Sequence, residues 1–287
     1  MVLAQTGHFR QAAEQVSVTQ PALSAAIRQI EGNLGMRLFE RTTHRVALTP
    51  AGQALLHHAK RLLTTAENAF ADMRAAALDV ASTVRIGAVP SMIAPVAQLL
   101  GQGSADKPVS AHLHDGKSDD LIAGLRTGAH DIVICVATIA DPDFLAFPIV
   151  HDEMMALVSV DHPTLRGNQI PWRALSGAEI VHFAGGGIGE LTTSALRQNG
   201  LVPSSRYQVD QLDSLYGLVL ADLAVGIIPR LYARSLDVSR LRLIHLVRPT
   251  MRRPIKLLVR RQLANEHPVA NAFAMRLADS LCTMIRQ

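Results

Sequence analysis

Gln20, Ser24 and Arg28 stand four residues apart, so a helix through them carries an amide, a hydroxyl and a guanidinium on one flank. Groups of that kind on the first turns of a helix can donate to and accept from base-pair edges and phosphate oxygens. The opposite flank is apolar. Leu23, Ile27, Ile30 and Leu34 recur at helical spacing, which predicts a single buried face. Thr19 stands where an N-cap belongs, and Pro21 falls in the first turn, where a missing N–H costs nothing. A shorter helix is expected over Arg10–Gln15, with Ala12 and Ala13 small enough to let a neighbouring helix approach, and a turn over Val16–Val18. This division of two short helices predicts a helix-turn-helix.

Enzyme chemistry finds no comparable support. His112 and His114 share a strand face with no third metal ligand in view and read as a surface pair. His57 and His58, adjacent on a helix, cannot face one metal. Gly-x-Ser-x-Gly, His-Glu-x-x-His and Cys-x-x-Cys motifs do not occur. The cluster Gly185-Gly186-Gly187-Ile188-Gly189 fits neither a dinucleotide fingerprint nor a phosphate loop and reads as a flexible turn lining a cleft. No metal and no cofactor is expected. Arg252-Arg253 and Arg260-Arg261 read as a solvated basic face.

Composition bounds the rest. The 287 residues, 48% hydrophobic, suffice for two domains with real cores, and a net charge of +4 permits nucleic-acid binding without establishing it. Cys135 and Cys282 are too few for a disulfide framework and suit a reducing cytoplasm. The apolar runs Asp131–Ala140 and Leu215–Pro229 fall short of the ~20 residues that cross a bilayer, so no membrane association is expected.

The helix-turn-helix is followed by Arg41–Thr49, short, basic and β-tolerant, which predicts a hairpin wing with His44 and Arg45 at its tip, near phosphates or the minor groove. Thr49 and Pro50 then open a helix expected to run to about Ser82. Along it Leu56, Leu63, Phe70 and Met73 belong to a heptad seam that suits pairing with a second copy. From residue 82 strand and helix signals alternate, first over Val84–Val89, Ile93–Leu100, Val109–Leu113, Asp119–Arg126 and Asp131–Val136. A second set follows over Glu179–Phe183, Glu190–Asn199, Arg206–Val209, Leu212–Leu223 and Val225–Ile228. Alternation of this kind predicts parallel sheets with crossover helices. Strands crossing between the two sets are expected at Met155–Val160 and Pro254–Arg260.

The N-terminal segment resembles the LysR-type transcriptional regulators. The matching residues are Phe9, Ala12, Ala13, Thr19, Gln20, Pro21, Ala22, Leu23, Ser24, Ile27, Glu31, Leu34, Gly35, Leu38, Phe39 and Arg41, closing with Thr49, Ala51 and Gly52. Two departures stand out. Family members carry roughly nine further residues ahead of the point where this sequence begins, so a first helix is expected only over Met1–Gln5. Ala25 stands where the family often has Arg.

The resemblance implies a multidomain α/β protein: a winged helix-turn-helix over residues 1–49, a linker and dimerisation helix over 50–81, and a periplasmic-binding-protein-like effector domain over 82–287. Its first subdomain would comprise 82–157 and 257–287, its second 158–256. It further implies a homodimer or homotetramer on double-stranded promoter DNA, with RNA polymerase as a further partner. Thr19, Gln20, Pro21, Ser24, Ala25, Arg28, His44 and Arg45 would face DNA. A small-molecule effector, of the organic-anion class usual in the family, would bind beyond the strand ends where helix N-termini offer free N–H groups. The candidates there are Ser91, Met92, Ser118, Ala137 and Thr138 from the first subdomain and Phe183, Gly185 and Gln211 from the second. Ser91 and Ser118 align with effector-binding positions of the family. A stand-alone small-molecule binding protein without gene control is the alternative.

Overall fold

A computed structural model describes the chain apart from residues 42–45, 78–82, 102–109, 139–140, 185, 202–205, 235, 237–238 and 287. For residues 41, 57, 61, 68, 71, 72, 74–77, 186 and 286 it describes the backbone alone. Two compact units result, Met1–Arg74 with Thr127–Ala129, and Ala75–Arg126 with His130–Gln287.

The first unit opens with α1 (Val2–Thr6), α2 (Phe9–Gln15) and α3 (Gln20–Leu34), followed by the antiparallel hairpin β1 (Phe39–Arg41) and β2 (Val46–Leu48) and the long helix α4 (Pro50–Ala77). Its small core gathers Leu3, Ala12, Leu38 and Phe39, with Leu23, Ile27, Leu48 and Leu55 packed around it. Only half of the predicted apolar face of α3 is used. Leu23 and Ile27 are half-buried, whereas Ile30 and Leu34 are 42% and 43% exposed. Leu23 and Ile27 pack against the small core, and that core does not extend to Ile30 or Leu34. Gly52 shows how tightly α4 meets the hairpin, since a Cβ there would lie 2.1 Å from the carbonyl oxygen of Leu38. Thr49 caps α4, accepting from the N–H of Gly52 at 2.9 Å, as its position predicts.

The second unit runs β3 (Thr83–Ala88), α5 (Pro90–Gly101), β4 (Ser110–Asp115), α6 (Ser118–Thr127), β5 (Ile132–Val136), β6 (Phe144–Ser159) and β7 (Gln169–Pro171). It continues with β8 (His182–Phe183), α7 (Gly186–Gln198), β9 (Gln208–Val209), α8 (Leu212–Leu220), β10 (Gly226–Pro229) and α9 (Arg230–Ala233). β11 (Leu241–Val247), β12 (Arg252–Arg260), α10 (Leu263–Glu266) and α11 (Pro268–Arg286) complete it.

β3 is parallel to β4 and β5, as the strand–helix alternation predicts, and β12 runs antiparallel between β5 and β6. β6 is the element that divides the unit. Its residues Phe144–Glu153 pair with β12, and its residues Met154–Ser159 pair with β10 and β11. The crossing strand is thus about three times the predicted length, because one uninterrupted strand serves two sheets. Side chains alternate across it. Met154, Ala156 and Val158 enter a core with Trp172, Leu196 and Ile244, while Leu157 enters another with Leu215, Val219 and Ile228. The third core joins β3, β5, β12, α5, α6 and α11 through Ile86, Ile134, Leu257, Met92, Leu121 and Leu281.

The glycine cluster is a correction. Gly186, Gly187 and Gly189 lie in α7 and not in a turn, and a Cβ at Gly189 would stand 1.9 Å from the carbonyl oxygen of Phe183. Gly189 is there so that α7 can pack onto the end of β8.

Candidate nucleic-acid interface and effector site

In the first unit the sequence sets the frame of α3 in three ways. Thr19 is extended, and its hydroxyl accepts from the N–H of Ala22 at 3.3 Å, so the helix begins at Gln20. Gly35 closes it in the left-handed conformation, at φ 65°. Glu31 ties it to the hairpin, accepting from the N–H groups of Leu38 at 2.8 Å and Phe39 at 3.2 Å. The outer flank held by this frame is polar and open. Thr19, Gln20, Pro21, Ala25 and Arg28 are exposed, and Ser24 is half-buried. Thr19 is therefore already committed as a cap, while the side chains of Gln20 and Arg28 are left in solvent. The wing residues His44 and Arg45 lie outside the described residues.

α4 carries an unburied apolar stripe. Leu63, Phe70 and Met73 are 50%, 66% and 65% exposed, and Leu56 is half-buried.

In the second unit hydrogen bonds connect several predicted effector residues. The hydroxyl of Ser118 accepts from the N–H of Val136 at 3.2 Å, and the next N–H, of Ala137, is donated to the carbonyl of Pro254 at 3.4 Å. Beside Pro254, Arg253 donates through Nη2 to the hydroxyl of Ser91 at 2.6 Å. Ser91, Ser118 and Ala137 thus belong to one connected group, and Thr138 is exposed at its margin. Met92 does not belong to it. It is fully buried in the core with Leu121 and Ile134, and its N–H is donated to Val89 at 2.8 Å, so it builds the first turn of α5 and offers a ligand nothing.

From the other subdomain, Phe183 is nearly buried, and the strand end beside it donates from Ala184 to Val209 at 2.7 Å. Gln211 follows as the N-cap of α8, with no side-chain cap bond. A cavity of about 480 Å³ along β8 and α7 is lined by His182, Phe183, Glu190 and Arg197, among others, and by none of the first subdomain's candidates. Gly185 lies outside the described residues.

Arg253 and Asp152 are the residues that pattern reading missed. Arg253 is 6% and Asp152 2% exposed, so the expectation of a solvated arginine face fails at Arg253. Burial lowers the guanidinium's affinity for its proton, and the facing carboxylate of Asp152 restores part of it. A partial signal existed: Asp152 lies in the polar run His151-Asp152-Glu153 between Ile149-Val150 and Met154-Met155, and a charged group within an otherwise apolar strand asks for a partner. Arg260 is likewise spent on structure, donating through Nη1 to the carbonyls of Leu125 at 3.0 Å and His130 at 2.9 Å. His112 and His114 are exposed on β4, and His114 stacks on His130 at 5.2 Å. Among the described residues no group of three His, Cys, Asp or Glu could hold a metal ion, and no helix is long and apolar enough to cross a membrane.

Residues 77–281 match the LysR substrate binding domain, and residues 1–53 match the bacterial regulatory helix-turn-helix protein of the lysR family. The chain belongs to the LysR family. It is a LysR-type DNA-binding transcriptional regulator, and regulators of this family bind promoter DNA and small-molecule effectors and oligomerise. The hydrogen peroxide-inducible genes activator of Haemophilus influenzae is 28% identical to it over 239 residues, 80% of this chain and 78% of that protein. The DNA-binding transcriptional dual regulator OxyR of Escherichia coli is 26% identical over 267 residues, 91% of this chain and 87% of that protein. Among solved structures, CbnR, a LysR family transcriptional regulator, shares the fold with a TM-score of 0.70 at 20% identity, covering 98% of this chain and 96% of CbnR. CbnR bound to its target DNA gives 0.69 at 19% identity, with the same coverage of 98% and 96%.

Proposed function

We propose that this regulator binds its promoter as a dimer or dimer of dimers and that a small organic acid, held in the effector domain, changes how it does so. The observation that carries the DNA-binding half is the two-sided α3, with Leu23 and Ile27 turned to the core and Gln20 and Arg28 left in solvent. Gln20 and Ser24 address base edges, with Ala25 presenting a methyl to them. Arg28, the backbone around Thr19 and Pro21, and the wing residues His44 and Arg45 hold phosphates or the minor groove. The exposed stripe of α4 supports pairing of two copies, which brings two recognition helices to a palindromic site.

The effector half rests on the connected group Ser91–Ser118–Ala137, with Thr138 beside it and Phe183 and Gln211 contributed from the facing subdomain. A ligand there shifts the balance between two closures only through unequal affinity for them. Calorimetric screening of small organic acids, followed by footprinting on the chain's own upstream region, tests this half. An acid that binds should alter the footprint, and an identical footprint with and without every binding acid contradicts it.

The relatives named for hydrogen peroxide raise peroxide sensing as a second reading, and of the two cysteines, Cys135 and the partly exposed Cys282, Cys135 does not suit it. Its thiol is fully buried, and burial, reinforced by the charge of Asp119 and countered in part by Lys256, pushes it up to about 12. The reactive thiolate is therefore scarce at neutral pH.

A further inference from the structure

Arg253 on β12 stands opposite Asp152 on β6, so the two strands shared by the subdomains carry a matched charge pair. Nε and Nη2 of Arg253 both donate to one oxygen of Asp152, at 3.1 and 2.8 Å. The other oxygen accepts from the N–H of Leu231 in α9 at 3.1 Å. The pair is neutral as a unit, and each partner meets the desolvation of the other. With the planar guanidinium fixed by Asp152, one Nη2 hydrogen remains, and it goes to the hydroxyl of Ser91.

The consequence falls on Ser91. One of its lone pairs is taken by a cationic donor, and its O–H donates to no described group. Ser91 is only 4% exposed, and an O–H shielded from water without an acceptor is costly until an oxygen is brought to it. A ligand carboxylate supplies that oxygen. An ammonium would have to use the remaining lone pair beside a guanidinium, against charge repulsion. Ser118 has the same polarity, accepting from Val136 and donating to no described group. Both serines sit in the first turn of helices of 12 and 10 residues, an end that favours negative charge at Ser91, whereas Asp119 and Asp120 offset that field at Ser118.

We propose that Arg253 is the positioning residue that makes Ser91 a hydrogen-bond donor and thereby sets the effector's polarity: an acceptor, a small carboxylate, and not an amine. This rests on the effector reading above and adds the residue that selects within it.

The test is calorimetry on the full chain with two matched probe pairs, succinate against 1,4-diaminobutane and benzoate against benzylamine. The proteins are the wild type, Ser91→Ala, Arg253→Lys and the double variant Arg253→Gln/Asp152→Asn. The double variant removes both charges together, so no buried ion is left unpaired, and thermal melting establishes that it folds. The wild type should bind at least one acid at up to about 10 mM and neither amine. Ser91→Ala and the double variant should each weaken that acid by about tenfold or more, and Arg253→Lys, which still donates, should recover most of the loss. Should the double variant not fold, Ser91→Ala and Arg253→Lys decide. Acid binding unmoved by Ser91→Ala, or by the folded double variant, overturns the role of Arg253 and leaves the effector reading standing. Amines bound as well as acids overturn the polarity argument alone. No acid bound by the wild type overturns both.

Discussion

Replacing Gln20 by alanine removes an amide that can pair in two places with an adenine edge, at the exposed start of a capped helix. Sequence discrimination should fall by about 1 to 3 kcal/mol, while binding to random DNA, which phosphate contacts dominate, changes little. Parallel gel-shift titrations on operator and scrambled duplexes check this, and equal weakening on both would place Gln20 on the backbone. Cys135 makes the opposite kind of prediction, one of inertness. Peroxide at neutral pH should leave the footprint of the wild type and of Cys135→Ala the same. The sign of its pH effect also follows. The folded thiol keeps its proton up to about 12, while the unfolded one loses it near 9.0, so between those values the unfolded state binds fewer protons and stability falls as pH rises. Urea melts at pH 8 and pH 10 should show the wild type losing stability relative to Cys135→Ala; an unchanged difference contradicts the buried-thiol account.

At the scale of elements, α4 carries the next prediction. Phe70→Glu with Met73→Glu places charges in a stripe that is 66% and 65% exposed in the single chain, so the fold should tolerate them. The dimer should not: sedimentation should show monomers, and affinity for a palindromic operator should fall by about tenfold or more, since two linked readers become one. Dimers unchanged in size would move the interface elsewhere. Elements were legible in the sequence where local chemistry sets them. Thr19 and Pro21 mark the start of α3, and Thr49 and Pro50 open α4, within a residue of expectation. They were illegible where a distant contact decides. The helical start at Gly186 depends on Gly189 meeting Phe183, and the exposure of Ile30 and Leu34 depends on which residues the small core of the first unit gathers. The seven-residue β11 escaped because its alternation, Leu-Arg-Leu-Ile-His-Leu-Val, is broken by Ile244.

For the molecule as a whole, the family signature and the strand–helix alternation located the DNA reader and the effector domain. The wiring of the candidate effector site was not legible. Asp152 and Arg253 are 101 residues apart, and Arg253 reaches Ser91 across 162, pairings that only the register of β6 against β12 brings about. Ser91 and Ser118 could be named from position, but their donor polarity follows from groups that no local pattern connects to them. Sequence-specific control by this regulator requires that the polar flank of α3 read a duplex. Quantitative footprinting of the chain on its own upstream region, with the Gln20→Ala and Arg28→Ala variants in parallel, tests this most directly. A discrete protected palindrome is predicted, weakened on specific bases by Gln20→Ala and nearly uniformly across sequences by Arg28→Ala. Protection without sequence preference, or a pattern indifferent to both substitutions, would contradict it.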